Sequence, residues 1–275
     1  MTPRDVQAYL ERLDLTAPPP PTLDTLAGLQ QRHMQSIAFE NFSVYLGIAP
    51  VLTTEALVRK VLHERRGGYC FELNTLYGHL LDALGYTTKQ VLARVLLRDP
   101  EETPPRTHLT NLVELDGVWY VTDVGFGGLA SRVPLRIDHA GEVDDGDGYV
   151  RIVPQSYGEH LVQRRTDDGW QDQYRMETRP AVAADIKLGN YYTHSHPDSH
   201  FVHHRFIGLF TDTGRIGLFG NDFSERRGTE VVHRETVPDG PEWIAFVRER
   251  FGLPLNLPEE QLARLMVGKP EPAQS

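Results

Sequence analysis

A helical stripe ends at a glycine and gives way to two-residue alternation, and this switch of period limits the architectures open to the chain. Leu73, Leu76, Tyr77, Leu80, Leu81 and Leu84 recur at spacings of three and four, the pattern of a helix buried along one face, and Gly85 supplies its stop. Upstream the reading is also helical. Thr2-Pro3 and Pro21-Thr22 look like helix starts, and Thr53 or Thr54 caps a third helix carrying Leu57, Val61 and Leu62. Pro18 to Pro21 forms a stiff connector between the first two helices. From Lys89 onward come short β-rich runs: Val91 to Leu97, His108 to Leu115 and Val118 to Val121. Asp116-Gly117 and Asp168-Gly169 sit between such runs as hairpin turns, so a β-sheet or barrel follows the helices.

The last third mixes both types. Phe206 to Phe210 and Ile216 to Phe219 flank Thr213-Gly214 as a further hairpin, and Pro241 opens a helix through Ile244, Phe246 and Val247 that Gly252 closes. The tail after Lys269 is expected to be loose. With 275 residues the chain can bury its core without disulfides or metals.

Composition removes several function classes. A net charge of −10 works against a nucleic-acid or anionic-membrane partner, and the pairs Arg65-Arg66, Arg164-Arg165 and Arg226-Arg227 are too short to make a basic run. A single cysteine, Cys70, excludes an internal disulfide and a multi-cysteine metal site. No segment has the unbroken apolar length of a signal peptide or membrane span, so the expected compartment is the cytoplasm.

Cys70 follows Gly67-Gly68 and opens the striped helix. The glycines let the backbone turn sharply and come close to a ligand, and the helix dipole and first-turn N–H groups favour an anionic sulfur. A buried small hydrophobe is the competing reading of a lone cysteine. A nucleophilic thiol gains from a base and an orienter for that base. If Asp116-Gly117 is a two-residue turn, Leu115 faces Val118 and His108 lies opposite Gly125. Asp123, two residues back, then projects on the same face as His108 at a diagonal separation of roughly 7–8 Å, within bridging reach. Geometry alone leaves open an ordinary polar pair.

The segments Arg66 to Asn74 (RGGYCFELN), Arg106 to Val113 (RTHLTNLV) and Val121 to Gly128 (VTDVGFGG) resemble the three signature segments of the arylamine N-acetyltransferase family. FENFSV at Phe39 to Val44 and HPDSHF at His196 to Phe201 extend the resemblance in the same order. It implies an α+β fold in three parts with a cysteine-protease-like Cys-His-Asp core: a helical bundle (residues 1–86) carrying the nucleophile, a β-barrel (87–190) carrying the other two members, and an interdomain segment with an α/β lid (191–275). The resemblance also implies that Cys70 is acetylated, that His108 is its base and that Asp123 orients His108. The donor would be acetyl-CoA, with aromatic amines or hydrazines as acceptors and ping-pong transfer through acetyl-cysteine. A related amide synthase, or another thiol acyltransferase with a different donor, is the alternative.

Around these residues, Gly125, Phe126, Gly127 and Gly128 read either as a cradle for CoA or as a tight exit from the hairpin. The resemblance places Phe126 near the acceptor. Phe39 and Phe201 join the same pocket or the core. Glu40 and Arg66 are expected to pair and brace the loop before Cys70. The histidines at 194, 196, 200, 203 and 204 invite a metal reading, but they overlap the HPDSHF region, which is metal-free in the family, so no metal is expected.

Overall fold

The computed structural model describes residues 1–97 and 102–269; the tail expected to be loose lies outside them. Two helices open the chain, α1 (Pro3–Arg12) and α2 (Leu23–Ser36), with Thr2 and Thr22 as N-caps accepting from backbone N–H groups. Thr53 caps α4 (Thr54–Leu57), which follows the two-residue strand β1 (Phe39–Glu40) and the single turn α3 (Phe42–Tyr45). The third helix differs from the sequence reading. After α4 it widens into a π-turn over Val58–His63, and this geometry buries Val58 together with Leu57, Val61 and Leu62. α5 (Cys70–Ala83) runs through the centre, with Leu73, Leu76, Tyr77, Leu80 and Leu81 fully buried and Gly85 beyond its end at φ +90°.

The central part is one eight-stranded antiparallel sheet, barrel-like and nearly closed. Its strands are β2 (Thr87–Val95), β3 (His108–Leu115), β4 (Val118–Thr122), β5 (Leu135–Arg136), β6 (Val143–Asp144), β7 (Tyr149–Pro154), β8 (Glu159–Thr166) and β9 (Gly169–Glu177), in spatial order β5-β4-β3-β2-β9-β8-β7-β6. Asp116 and Gly117 both have positive φ, as the tight hairpin joining β3 to β4 requires. After α6 (Ala183–Ser195) and the single turn α7 (His200–His203), a second sheet forms in the order β1-β10-β11-β12-β13. Its later strands are β10 (Phe206–Thr211), β11 (Gly214–Phe219), β12 (Asp222–Arg227) and β13 (Glu230–Thr236), and α8 (Pro241–Phe251) and α9 (Glu259–Leu265) pack on it.

Two of the three expected turns are displaced by one residue. Thr166 pairs with Gly169 and Thr211 with Gly214, so the turn residues are Asp167-Asp168 and Asp212-Thr213. At 214 the glycine serves another need: a Cβ there would lie 2.0 Å from the Arg226 carbonyl oxygen on the neighbouring strand. The β6–β7 hairpin ties the two sheets together. Its buried Asp145 accepts from Arg164 and from the Arg132 N–H, while Asp147 accepts from Arg215 of β11 and from the Gly228 N–H. No helix among the described residues is long and apolar enough to cross a membrane.

Candidate active site

The loop that delivers Cys70 is held by buried charge. Arg65 takes φ +53°, and Arg66 donates to Glu40 from Nε (3.0 Å) and Nη2 (2.7 Å), while the other Glu40 oxygen accepts the Phe42 N–H at 2.7 Å. Burial opposes ionisation of Glu40, but Arg66 and Lys60 outweigh it and hold the carboxyl below its ordinary range. The expected Glu40–Arg66 brace is therefore present. The glycines let the loop pack tightly on its neighbour. A Cβ at Gly67 would stand 2.0 Å from the Ala38 carbonyl oxygen, and Glu40 N–H bonds to Gly68 O, so the loop lies flush on β1. Glu72 closes the helix start by accepting the Tyr69 N–H (3.2 Å) and Lys60 Nζ (2.7 Å). Cys70 is the first residue of α5, 3% exposed, with its thiol donating to Thr107 O at 3.6 Å.

The β3–β4 ladder has the register that the turn implies, from Leu115–Val118 to Asn111–Thr122. Just past its end, His108 Nε2 donates to Asp123 Oδ2 at 2.6 Å, with both residues buried. Burial works against the imidazolium, but the Asp123 charge and hydrogen bond, with Cys70 as a further partner, push His108 up to about 10. With Nε2 engaged by Asp123, Nδ1 is the ring nitrogen left for Cys70. Asp123 is likewise desolvated, yet His108, Asn74 and the Gly125 N–H hold it below the ordinary carboxylate range.

Asn74 was not singled out by the sequence reading. Its Nδ2 donates to Leu109 O (2.7 Å) and Asp123 Oδ1 (2.8 Å), and its Oδ1 accepts the Val124 N–H (3.1 Å), so one amide ties α5 to both strands. Asn111 supports it by donating to Asn74 O at 2.9 Å. The available signal is a polar amide four residues beyond Cys70, on the same face of the helix as the cysteine. Tyr174 was missed too. Its ring centroid lies 5.0 Å from His108 and 4.9 Å from Phe126, and burial beside Asp123 raises its phenol well above the usual range.

The four residues 125–128 divide between tasks. Gly125 Cβ would stand 2.8 Å from both Cys70 Cα and Asn74 Nδ2, so this glycine permits close packing on α5. Phe126 meets the His108 ring edge-on at 5.1 Å. Gly127 (φ +88°) faces Phe39, and Gly128 borders open space. Both line a cleft shared with Phe39, Val124, Gly208 and Arg215. Arg215 also borders a second, larger cleft that holds Arg165, Arg226 and Arg227. Phe201 packs 5.7 Å from Tyr69 and 6.4 Å from Phe39, in the apolar cluster containing Cys70. The histidines do not converge: His196 stacks on Tyr192, His203 bonds to Pro197 O and His204 packs on Phe219. Among the described residues no group of three or more His, Cys, Asp or Glu side chains could hold a metal ion.

A family model described as N-acetyltransferase matches residues 22–260. The arylamine N-acetyltransferase / N-hydroxyarylamine O-acetyltransferase of Salmonella typhimurium is 33% identical over 267 residues, 95% of each chain. The solved structure of the Salmonella typhimurium arylamine N-acetyltransferase superposes with a TM-score of 0.91 over 97% of this chain and 98% of that one, at 32% identity. The Mycobacterium marinum arylamine N-acetyltransferase in complex with CoA superposes at 0.89, with 30% identity, over 95% of this chain and 98% of that one.

Proposed function

Because the chain belongs to the arylamine N-acetyltransferase family, we propose that it carries the acetyl group of acetyl-CoA on Cys70 and delivers it to an aromatic amine or hydrazine. The observation that carries this reading is the 2.6 Å His108–Asp123 bond beside a cysteine at the start of a buried helix. We assign the nucleophile to residues 1–86, the base and its orienter to 87–190, and the cover of the acceptor side to 191–275.

The steps follow from the geometry. In the reacting form Cys70 has passed its thiol proton to His108; the thiolate attacks the thioester carbonyl carbon, a C–S bond forms, and the CoA C–S bond breaks as His108 gives that proton to the departing CoA thiolate. Acetyl-Cys70 and neutral His108 remain. The acceptor nitrogen then attacks the same carbonyl carbon, His108 takes the nitrogen's proton, and the Cys70 thiolate departs to restore the imidazolium pair. Asp123 stays ionised throughout and fixes the ring so that Nδ1 faces the sulfur. Asn74 holds Asp123 against α5.

For the donor, Arg215 borders both the cleft at Gly127-Gly128 and the larger cleft where Arg226 and Arg227 stand among Asp167, Asp168 and Glu230. The phosphates of CoA are assigned to those arginines, which form no ion pair among the described residues. The resemblance to the Mycobacterium marinum enzyme, solved with CoA, supports a CoA site in this chain. Phe39, Phe126 and Phe201 form the aromatic side of the acceptor pocket, and the reaction is assigned to the cytoplasm.

The test is intact-protein mass after mixing with acetyl-CoA, followed by 4-aminobenzoate. An acetyl-sized gain, absent in Cys70→Ser and discharged by the amine, is the expected result. No adduct and no CoA release would turn the reading toward the amide-synthase alternative.

A further inference from the structure

FENFSV at 39–44 and HPDSHF at 196–201 lie far apart in sequence, and a buried amide of the first hydrogen-bonds to the second. Asn41 is 2% exposed. Its Nδ2 donates to the carbonyls of Phe201 (2.8 Å) and His204 (2.7 Å), and its Oδ1 accepts the Phe206 N–H (2.9 Å). Both amide protons are thus spent on α7 and its exit. From the opposite side, Lys269 Nζ donates to Val202 O (2.7 Å) and to Tyr45 O (2.6 Å), so a second side chain grips the same turn.

A single turn cannot satisfy its own carbonyls, and α7 makes few bonds within itself. Donors from outside hold the carbonyls of Phe201, Val202 and His204 instead. The turn carries Phe201, half-buried, whose ring sits 5.1 Å from Phe206, 5.7 Å from Tyr69 and 6.4 Å from Phe39. Tyr69 is the residue before Cys70, and the Phe201 ring packs against the apolar cluster that contains Tyr69 and Cys70.

We propose that Asn41, seconded by Lys269, is a positioning residue that fixes α7 so that Phe201 presents its ring to the acceptor, and that this clamp sets the preference for aromatic over ring-free acceptors. The inference rests on the proposed acetyl transfer. Its consequences divide cleanly, because in a ping-pong scheme kcat/KM for each substrate reports its own half-reaction.

The experiment compares wild type with Asn41→Asp, which keeps the size but replaces two donors by lone pairs facing two carbonyls. Lys269→Met, at the protein surface, leaves the buried amide intact and keeps the test available if the first variant does not fold. For 4-aminobenzoate, kcat/KM should fall by about three- to tenfold, the worth of one aromatic pair. For an alkyl hydrazine and for acetyl-CoA it should stay within about twofold of wild type. An equal fall for the hydrazine or for acetyl-CoA would reduce the clamp to general scaffolding and overturn the proposal. Unchanged values for all three would overturn it too. Absence of acetyl-Cys70 in the wild type is a separate result, and would remove the acetyl-transfer reading itself.

Discussion

His108 carries a proton that its burial alone would expel. Asp123 reverses that balance, and the pair is reachable by mutation without changing side-chain size. In Asp123→Asn the counter-charge disappears while the imidazole stays buried, so the ring should become neutral at pH 7. Nitrogen-15 NMR of the imidazole checks this: the wild-type ring is expected to remain protonated through neutral pH and to titrate near 10, and the variant's midpoint to fall below 6.5. A wild-type midpoint between 6 and 7 would contradict the coupling. Acetylation of Cys70 should slow together with the loss of the imidazolium, by roughly the 10²–10⁴-fold that a positioned proton donor supplies. If the NMR shift occurs without any loss of rate, the proton on His108 is not the one delivered to CoA.

Elements meet at the site more closely than ordinary side chains allow, and Gly125 is where this can be tested. Gly125→Ala would set a methyl 2.8 Å from the backbone Cα of Cys70 and from the Asn74 amide, so the segment that leaves β4 must move off α5. The expected cost is about 1–3 kcal/mol in thermal or urea unfolding, as for other overpacked contacts. Acetylation, read by CoA release, should slow about ten- to a hundredfold, because Asp123 and His108 shift with the strand. An unchanged rate would mean that the triad geometry does not depend on this contact. The same element pairing explains what the sequence disclosed. The Asp116-Gly117 turn fixes the register of β3 and β4, a register determines which side chains share a face, and so the sequence alone makes His108 and Asp123 legible as neighbours. Gly169 and Gly214 misled by one residue because the glycine in each pair follows the turn. At 214 it is required by the approach of β12, a long-range constraint that no local pattern carries. Asn41, Asn74 and Tyr174 stayed hidden for a similar reason: each acts through partners distant in sequence, and a single polar residue has no periodicity to betray it.

Across the whole molecule, two buried histidines set opposite limbs of the stability profile. His33 is fully buried against Tyr9, and desolvation lowers it to about 3, so the folded state keeps it neutral. Below pH 6.5 the unfolded chain takes up that proton and the folded chain does not, so stability falls as pH falls from 6.5 toward 3. His79 and His160, also lowered by burial, act in the same direction. Glu40 and Asp123, both depressed, add to this acid limb once the pH drops through the ordinary carboxylate range. His108 works the other way: its folded value near 10 exceeds the unfolded 6.5, so its contribution is complete below 6.5 and is lost as pH rises toward 10. Each limb has a slope of about 1.4 kcal/mol per pH unit for each proton involved. Stability read by urea unfolding should therefore rise to about pH 6–7 and fall on the way to about pH 10; because the proton on His108 is the one Cys70 gives up, folded and unfolded chains bind equal numbers of protons up to the ordinary thiol value of about 8.5, and the fall begins there. His33→Gln should flatten the acid side and His108→Gln the alkaline side, each without moving the other. Stability that continues to rise between pH 6.5 and 9 would mean that His108 is not held as an imidazolium. The electrostatic basis for its role in acetyl transfer would then fail at the level of the whole fold.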